Sequence, residues 1–221
     1  MEDNAVFAAT PDAAEALLGS VTEPFVMQYC RDLSHISLSD HCGIRQHGEK
    51  FLLDLPARGT FDGFLQLFSS RSRAQLRKKI AEIDARNVQI ISGRSADVGA
   101  LIDFNVGHFG EQSYFQMLGR KDAFRELATL PVTEMLSFEI DGVVEGVSLC
   151  IHANGCLAYL NSGVRWDTVP NLGTYVIIKN IERAFARADR IFDAGASPFN
   201  WKERMHLERR PIFELRSPAI P

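Results

Sequence analysis

Apolar residues recur along this chain with two periods, and the switches between them mark its elements. Phe61, Phe64, Leu65 and Phe68 fall at helical spacing, and Leu76, Ile80 and Ile83 resume it after Ser69-Ser70, so 61–86 reads as helical. Val98, Leu101, Ile102 and Asn105 predict a helix over about 95–109, and a shorter one over 120–129 stops at Pro131. Val88–Ile91, Met135–Ile140, Val143–Ile151 and Cys156–Asn161 read instead as strands. Asp141-Gly142 and Asn154-Gly155 join the last three, and both dipeptides favour tight hairpins, which makes an antiparallel meander. An amphipathic helix follows over about Thr174–Ala188. Its apolar stripe is Ile177, Ile178, Ile181, Ala184 and Phe185, and its wet face is Lys179, Glu182, Arg183 and Arg187. Strands over 190–193 and 211–215 close the pattern, with irregular chain between them.

The first sixty residues read differently. Thr10-Pro11-Asp12 is a helix-start signal before Ala13–Leu18. Phe25–Tyr29, Gly43–Arg45 and Phe51–Leu55 are strand-like, with His47-Gly48 expected to punctuate a hairpin and Pro56 and Gly59 ending the block. Residues 1–60 are therefore expected to form an N-terminal extension with strands, a remnant or edge of a sheet, and 61–221 the main domain. The element order from residue 88, β-α-α-β-β-β-α-β, predicts an α/β (α+β) fold with a mixed, mostly antiparallel sheet flanked by helices.

Composition narrows the function classes. With 46% hydrophobic and 24% charged residues the chain is an ordinary globular protein, which excludes collagenous, mucin-like and wholly disordered readings. A net charge of −4 disfavours a dedicated nucleic-acid binder. Glu2, Asp3, Asp12, Glu15 and Glu23 concentrate negative charge in a stretch without Lys or Arg, and the rest is close to neutral. No apolar run is long enough for a membrane span, and the N-terminus lacks the flank and core of a signal peptide. The four cysteines show no C-x-x-C spacing, so reduced thiols and a cytoplasmic location are expected. Cys30, His35, His41, Cys42 and His47 crowd one segment, yet no pair has the spacing of a zinc half-site, and no metal is predicted. No G-x-S-x-G elbow supports a Ser-His-Asp hydrolase.

Five strings then carry a resemblance: SSRSRAQLRKKI (69–80), FQMLGRKDAFRELA (115–128), GVVEGVSLCIHANGCLAYL (142–160), PNLGTYVIIKNIERAF (170–185) and FDAGASPFNWKERM (192–205). In this order they resemble the CelD/BcsL-type acetyltransferase family of the GNAT superfamily, related to the Fem-type aminoacyl transferases. The resemblance covers about 61–205 and implies a GNAT-like acyl-CoA N-acyltransferase fold. Trp201-Lys202 stands where the family usually has Tyr-Lys, and Ala194, Ala196 and Pro198 make the loop around Gly195 less polar than is usual.

The resemblance also implies a site. Acyl transfer from a thioester to an amine needs a held donor, a neutral nucleophile and a stabilised oxyanion and thiolate. The donor's pyrophosphate is expected at a helix N-terminus, where unpaired N–H groups and the dipole favour an anion. Asn171, Leu172, Gly173, Thr174 and Tyr175 occupy that place, and the alternative is a simple loop and cap. Arg77 and Lys78, with Arg71, Arg73 and Lys79, form the densest basic cluster. It is expected to meet a nucleotide phosphate or an acyl carrier protein, or else is a solvated face. Asp193 and Lys202 are candidates at the acceptor end, or a structural ion pair. Trp201 is a flat surface for a pantetheine arm, or a packing residue. Glu139 is the first candidate general base, with Glu145 and Glu111 as alternatives, and Tyr159 or Tyr175 would be the acid for the leaving thiolate. The function expected is therefore an N-acyltransferase using acyl-CoA as co-substrate and a small-molecule amine, such as an amino acid or amino sugar, as acceptor. Alternatives are an acyl-carrier-protein-dependent N-acyl amino acid synthase and a non-catalytic GNAT-like binding module.

Overall fold

A computed structural model of the chain describes residues 11–21, 23–30, 43–196 and 198–217. It is a mixed α/β protein of mostly antiparallel strands flanked by helices, as the pattern predicts. Contacts gather it into two compact units, one of the described residues up to Leu52 with those from Gly195 on, the other of Leu53–Ala194.

The first unit holds helix α1 (Pro11–Gly19) and strands β1 (Val26–Cys30) and β2 (Gly43–Asp54), the last running on into the second unit. Its C-terminal part adds the short α7 (Asn200–Arg204) and β8 (Glu208–Arg216). Strand β8 lies antiparallel between β1 and β2, a pairing of chain ends that no local pattern reveals. Leu18, Cys30 and Leu215 are its buried centre. The hairpin expected at His47-Gly48 is absent. Strand β2 passes straight through, and the register along β8 shifts between Gln46 and Gly48, the mark of a bulge. A two-residue hairpin needs a positive φ that neither His47 nor Gly48 adopts. The stretch read as irregular before the last strand contains α7, and His35, His41 and Cys42 lie outside the described residues.

The second unit follows the predicted order closely: α2 (Phe61–Leu65), α3 (Ser70–Asp84), β3 (Val88–Ser92), α4 (Val98–Phe109), α5 (Arg120–Leu127), β4 (Thr133–Ile140), β5 (Val143–Ala153), β6 (Cys156–Val164), α6 (Leu172–Ala186) and β7 (Ile191–Asp193). The helical stretch expected over 61–86, with its pattern resuming after Ser69-Ser70, is two helices: Ser69 turns the chain and caps α3 by accepting from the Ser72 N–H. Strands lie in the order β7-β6-β5-β4-β3. Both expected hairpins are present, with Asp141, Gly142, Asn154 and Gly155 all at positive φ as such turns require.

Each face of this sheet buries one helix layer. Leu136, Phe138 and Ile140 pack with Ile83 of α3 and Leu172, Tyr175 and Val176 of α6. Met135, Val147 and Leu149 pack on the other face with Val98, Leu101 and Ile102 of α4 and with Phe115 and Phe124. The alternation of residues along β4 and β5 between these layers is the period of two seen in the sequence.

Two irregularities position the site. Glu139 of β4 pairs with Val144 and Phe138 with Gly146, so Glu145 bulges out of β5. Leu149 pairs with Asn161 and Cys150 with Tyr159, so Leu160 bulges out of β6. Strand β7 runs parallel to β6 only from Cys156/Ile191 to Ala158/Asp193. Beyond Ala158, β6 continues to Val164 with no further pairing to β7 among the described residues.

Candidate active site

The parallel pair β6–β7 requires a crossover, and α6 supplies it. Its N-terminus therefore stands just past the carboxyl end of β6, where ligands meet open α/β sheets. The cap residue Asn171 is left-handed (φ 67°) and gives no side-chain hydrogen bond to the first turn. The N–H groups of Gly173 and Thr174 thus face outward from the positive end of the helix dipole. Leu172 is buried beneath them and anchors the turn. At Gly173 a Cβ would stand 3.2 Å from Cη2 of Trp166, whose exposed indole stacks on His108 at 4.0 Å between ring centres.

The loop that delivers α6 is organised by the bulged Glu145. This buried carboxylate accepts from the Thr168 hydroxyl at 2.6 Å and faces Arg165 at 3.6 Å, while its carbonyl accepts from the Arg165 N–H. Glu145, an alternative base on the sequence pattern, is here a loop organiser.

Tyr175 is buried in the layer shared by α3 and α6, edge-on to Phe138. Its hydroxyl donates to Asp84 Oδ1 at 2.6 Å. Burial, and then the Asp84 carboxylate that accepts its hydrogen, push the phenol well above its ordinary range. Its proton is committed to tying the two helices together. Burial likewise raises Tyr159, with its bond to Ser162 working the other way.

Glu139 lies near the β3 edge and pairs with Arg94 at 2.5 Å. Arg94 also binds Asp97 at 2.7 Å, and Asp97 accepts from the Ser137 hydroxyl. Arg77 and Lys78 stand exposed on α3 beside Asp62 (3.2 Å) and Glu82 (3.8 Å). Asp193 is buried at the end of β7 in one unit. Lys202 is buried in the other unit, its ammonium donating to the Gly195 carbonyl at 3.1 Å and lying 5.0 Å from the Phe51 ring centre and 5.8 Å from those of Phe199 and Trp201.

One polar group was hidden in an apolar pattern. Asn105 occupies the buried stripe of α4 and binds Asn161 of β6 and Ser113. A polar residue on a helix's core face is the one sequence signal that marks it. Among the described residues, no group of three or more His, Cys, Asp or Glu is arranged to hold a metal ion, and no helix is long and apolar enough to cross a membrane.

Residues 70–203 match the model of the acetyltransferase (GNAT) domain family, Acetyltransf_6. The chain belongs to this family of acyltransferases. No curated protein matches it. Among solved structures, it is similar to the C-terminal domain (DUF2156) of a candidate lysylphosphatidylglycerol synthetase from Agrobacterium fabrum, at 11% identity and TM-score 0.63, over 94% of this chain and 70% of that one. It is also similar to L-PGS from Bacillus licheniformis, at 10% identity and TM-score 0.59, over 82% of this chain and 63% of that one. FemX matches at 10% identity and TM-score 0.58, over 80% of this chain and 63% of that one. At these identities the likeness is one of fold.

Proposed function

We propose that the protein is an N-acyltransferase of the CelD/BcsL-type branch, moving an acyl group from acyl-CoA to the amine of a small molecule such as an amino acid or amino sugar. The observation that carries this reading is the coincidence of two openings. Strand β6 runs on past the end of β7, paired to β5 but with its other edge without a partner strand among the described residues, and the uncapped first turn of α6 follows it at that same end. An extended pantetheine arm has backbone groups to bond along the open edge of β6. Its pyrophosphate has the N–H groups of Gly173 and Thr174, with Asn171 and Leu172 shaping the turn.

In the transfer, the neutral amine's lone pair forms the C–N bond as the carbonyl π pair moves to oxygen. That pair then restores the carbonyl while the C–S bond breaks with its electrons on sulfur. The proton shed by nitrogen passes to a base and finally to the thiolate. Glu139, held by Arg94, is the proposed base, and Asp193 and Lys202 are proposed catalytic residues to be tested singly by Asp193→Asn and Lys202→Met. Tyr175, whose hydroxyl donates to Asp84, is proposed as part of the donor-binding turn and is the weaker candidate for the acid.

A second donor is favoured by one observation, the exposed basic face of α3 with Arg71, Arg77, Lys78 and Lys79. Such a face complements the acidic surface of an acyl carrier protein. The decisive experiment is thiol release from acetyl-CoA and longer acyl-CoAs against pooled amines, with mass spectrometry of the products. An acylated amine formed with stoichiometric thiol supports the reading. Binding of CoA without turnover on any amine would instead make the chain a non-catalytic binding module.

A further inference from the structure

Four groups on the α4 face of the sheet form a directed chain of hydrogen bonds. The Phe115 N–H donates to Ser113 Oγ at 3.2 Å, and Ser113 spends its own proton on Asn105 Oδ1 at 2.7 Å. That leaves Asn105 Nδ2 to donate to Asn161 Oδ1 at 3.2 Å. The Ser113 proton has no other acceptor among the described residues, which places Asn105 with Oδ1 toward Ser113 and Nδ2 toward Asn161, and so Asn161 with Oδ1 toward Asn105. Ser113 and Asn105 are buried and Asn161 is half-buried. The chain ends on Asn161 Nδ2, which has no hydrogen-bond partner among the described residues. It is an oriented donor, open to solvent, with no protein acceptor among the described residues.

Its place in the fold gives this end a meaning. Asn161 lies in the part of β6 that outruns β7, directly after the bulged Leu160. The bulge turns its side chain toward α4, and the three groups behind it hold it there. A backed, pre-oriented amide beside an open strand edge costs little to reorganise when charge develops in front of it.

We propose that Asn161 Nδ2 donates to the thioester carbonyl oxygen of the acyl donor, and that Asn105 and Ser113 are positioning residues for it. The inference rests on the acyl-thioester reading above. The chemistry selects the carbonyl over the amine. An amide N–H aimed at the amine would occupy the lone pair that must attack, whereas the carbonyl oxygen gains electrons as the C–N bond forms. When the intermediate collapses and sulfur leaves with the C–S pair, the oxygen returns to a carbonyl and the hydrogen bond weakens again. The bond is thus strongest in the transition state, which is the condition for speeding the reaction.

The test compares acetyl-CoA with S-ethyl-CoA, which keeps the nucleotide and arm but lacks the carbonyl. In 15N-labelled full-length protein, the side-chain amide signal of Asn161 is identified by its loss in Asn161→Asp. Acetyl-CoA is expected to move that signal, and S-ethyl-CoA to leave it in place. Calorimetry is expected to show a preference for acetyl-CoA of roughly 2- to 10-fold, the range of one neutral hydrogen bond. The preference is expected to vanish in Asn161→Asp and to shrink in Ser113→Ala, with S-ethyl-CoA affinity unchanged in both. A stationary Asn161 signal with acetyl-CoA bound overturns the inference and leaves the donor reading standing. Failure of both nucleotides to bind overturns the two together. Should Asn161→Asp fold poorly, the signal is assigned instead through bonds from its own Cα and Cβ in the 13C,15N-labelled unmodified protein, and its response to the two nucleotides still decides the matter.

Discussion

Leu101 of α4 and Gly163 of β6 meet backbone to backbone: a Cβ on Gly163 would stand 2.5 Å from the Leu101 carbonyl oxygen. It would also stand 2.9 Å from Phe104 Cβ. Neither atom is the end of a flexible side chain, so the helix can cross the strand this closely only over a glycine. Asn105 lies one turn after Leu101, and Asn161 two residues before Gly163 on the same face of β6. The close crossing is what brings the two amides within 3.2 Å.

Gly163→Ala is therefore expected to lift α4 from the sheet and destabilise the protein by about 1–3 kcal/mol, the usual cost of overpacking. Gly99→Ala in the same helix meets nothing within 4 Å. It is expected to stabilise by about 0.5–1 kcal/mol through helix propensity. Urea unfolding of the two variants gives opposite signs, and equal midpoints would show that the crossing is looser than described.

Gly173→Asp adds a negative charge where a pyrophosphate is proposed. Its Cβ crowds the exposed Trp166 ring at 3.2 Å, which can swing aside, and meets Val164 only at an ordinary 3.8 Å, so the fold should survive. CoA affinity should fall by about tenfold or more, a loss of about 1.4 kcal/mol. Gly173→Ala is the control for shape alone. If calorimetry finds equal CoA affinity in the Asp variant and the parent, the phosphates bind elsewhere.

Reversing Arg77, Lys78 and Lys79 to Glu separates the two donors. The exposed pairs lost, Arg77–Asp62 and Lys78–Glu82, each contribute about 0–1 kcal/mol, so melting should barely move. Binding of an acyl carrier protein should weaken strongly and lose its salt dependence, while CoA binding changes less. A carrier affinity that survives the reversal would falsify the carrier reading.

Glu214 of β8 should govern acid stability in its own unit. Its buried carboxylate is surrounded by Arg216, Gln28 (2.8 Å) and Arg45 (2.7 Å). The bond from Arg216, then that from Gln28, pull its pKa from 4.5 down to about 2, with burial opposing. A carboxylate depressed in the folded state stabilises it fully above the unfolded value and loses that contribution as pH falls. Glu214→Gln should thus melt lower than the parent at neutral pH. The gap should narrow between pH 4.5 and 2. A gap that stays constant through this window, read by circular dichroism, would assign acid unfolding to other groups.

Much of the second unit was legible in the chain itself, because its elements are defined by near neighbours. The Asp141-Gly142 and Asn154-Gly155 turns, the stripe from Ile177 to Phe185 and the apolar faces of β4 and β5 depend on residues a few positions apart. The same holds for Asn171–Thr174, which lies between a meander and an amphipathic helix. What lay beyond the pattern depends on residues far apart in sequence. The place of β8 between β1 and β2 joins the two chain ends, and the bulge at His47–Gly48 exists only because β8 continues past it. Tyr175 reads as a candidate acid until Asp84, ninety-one residues earlier, accepts the hydrogen bond from its hydroxyl. Asn161 reads as the tail of a strand until a bulge turns it and Asn105 holds it. Periodicity is a property of neighbours, so it yields elements and their faces. Hydrogen-bond partners across a core are chosen by packing, and that choice was made only when the helices came to rest on the sheet.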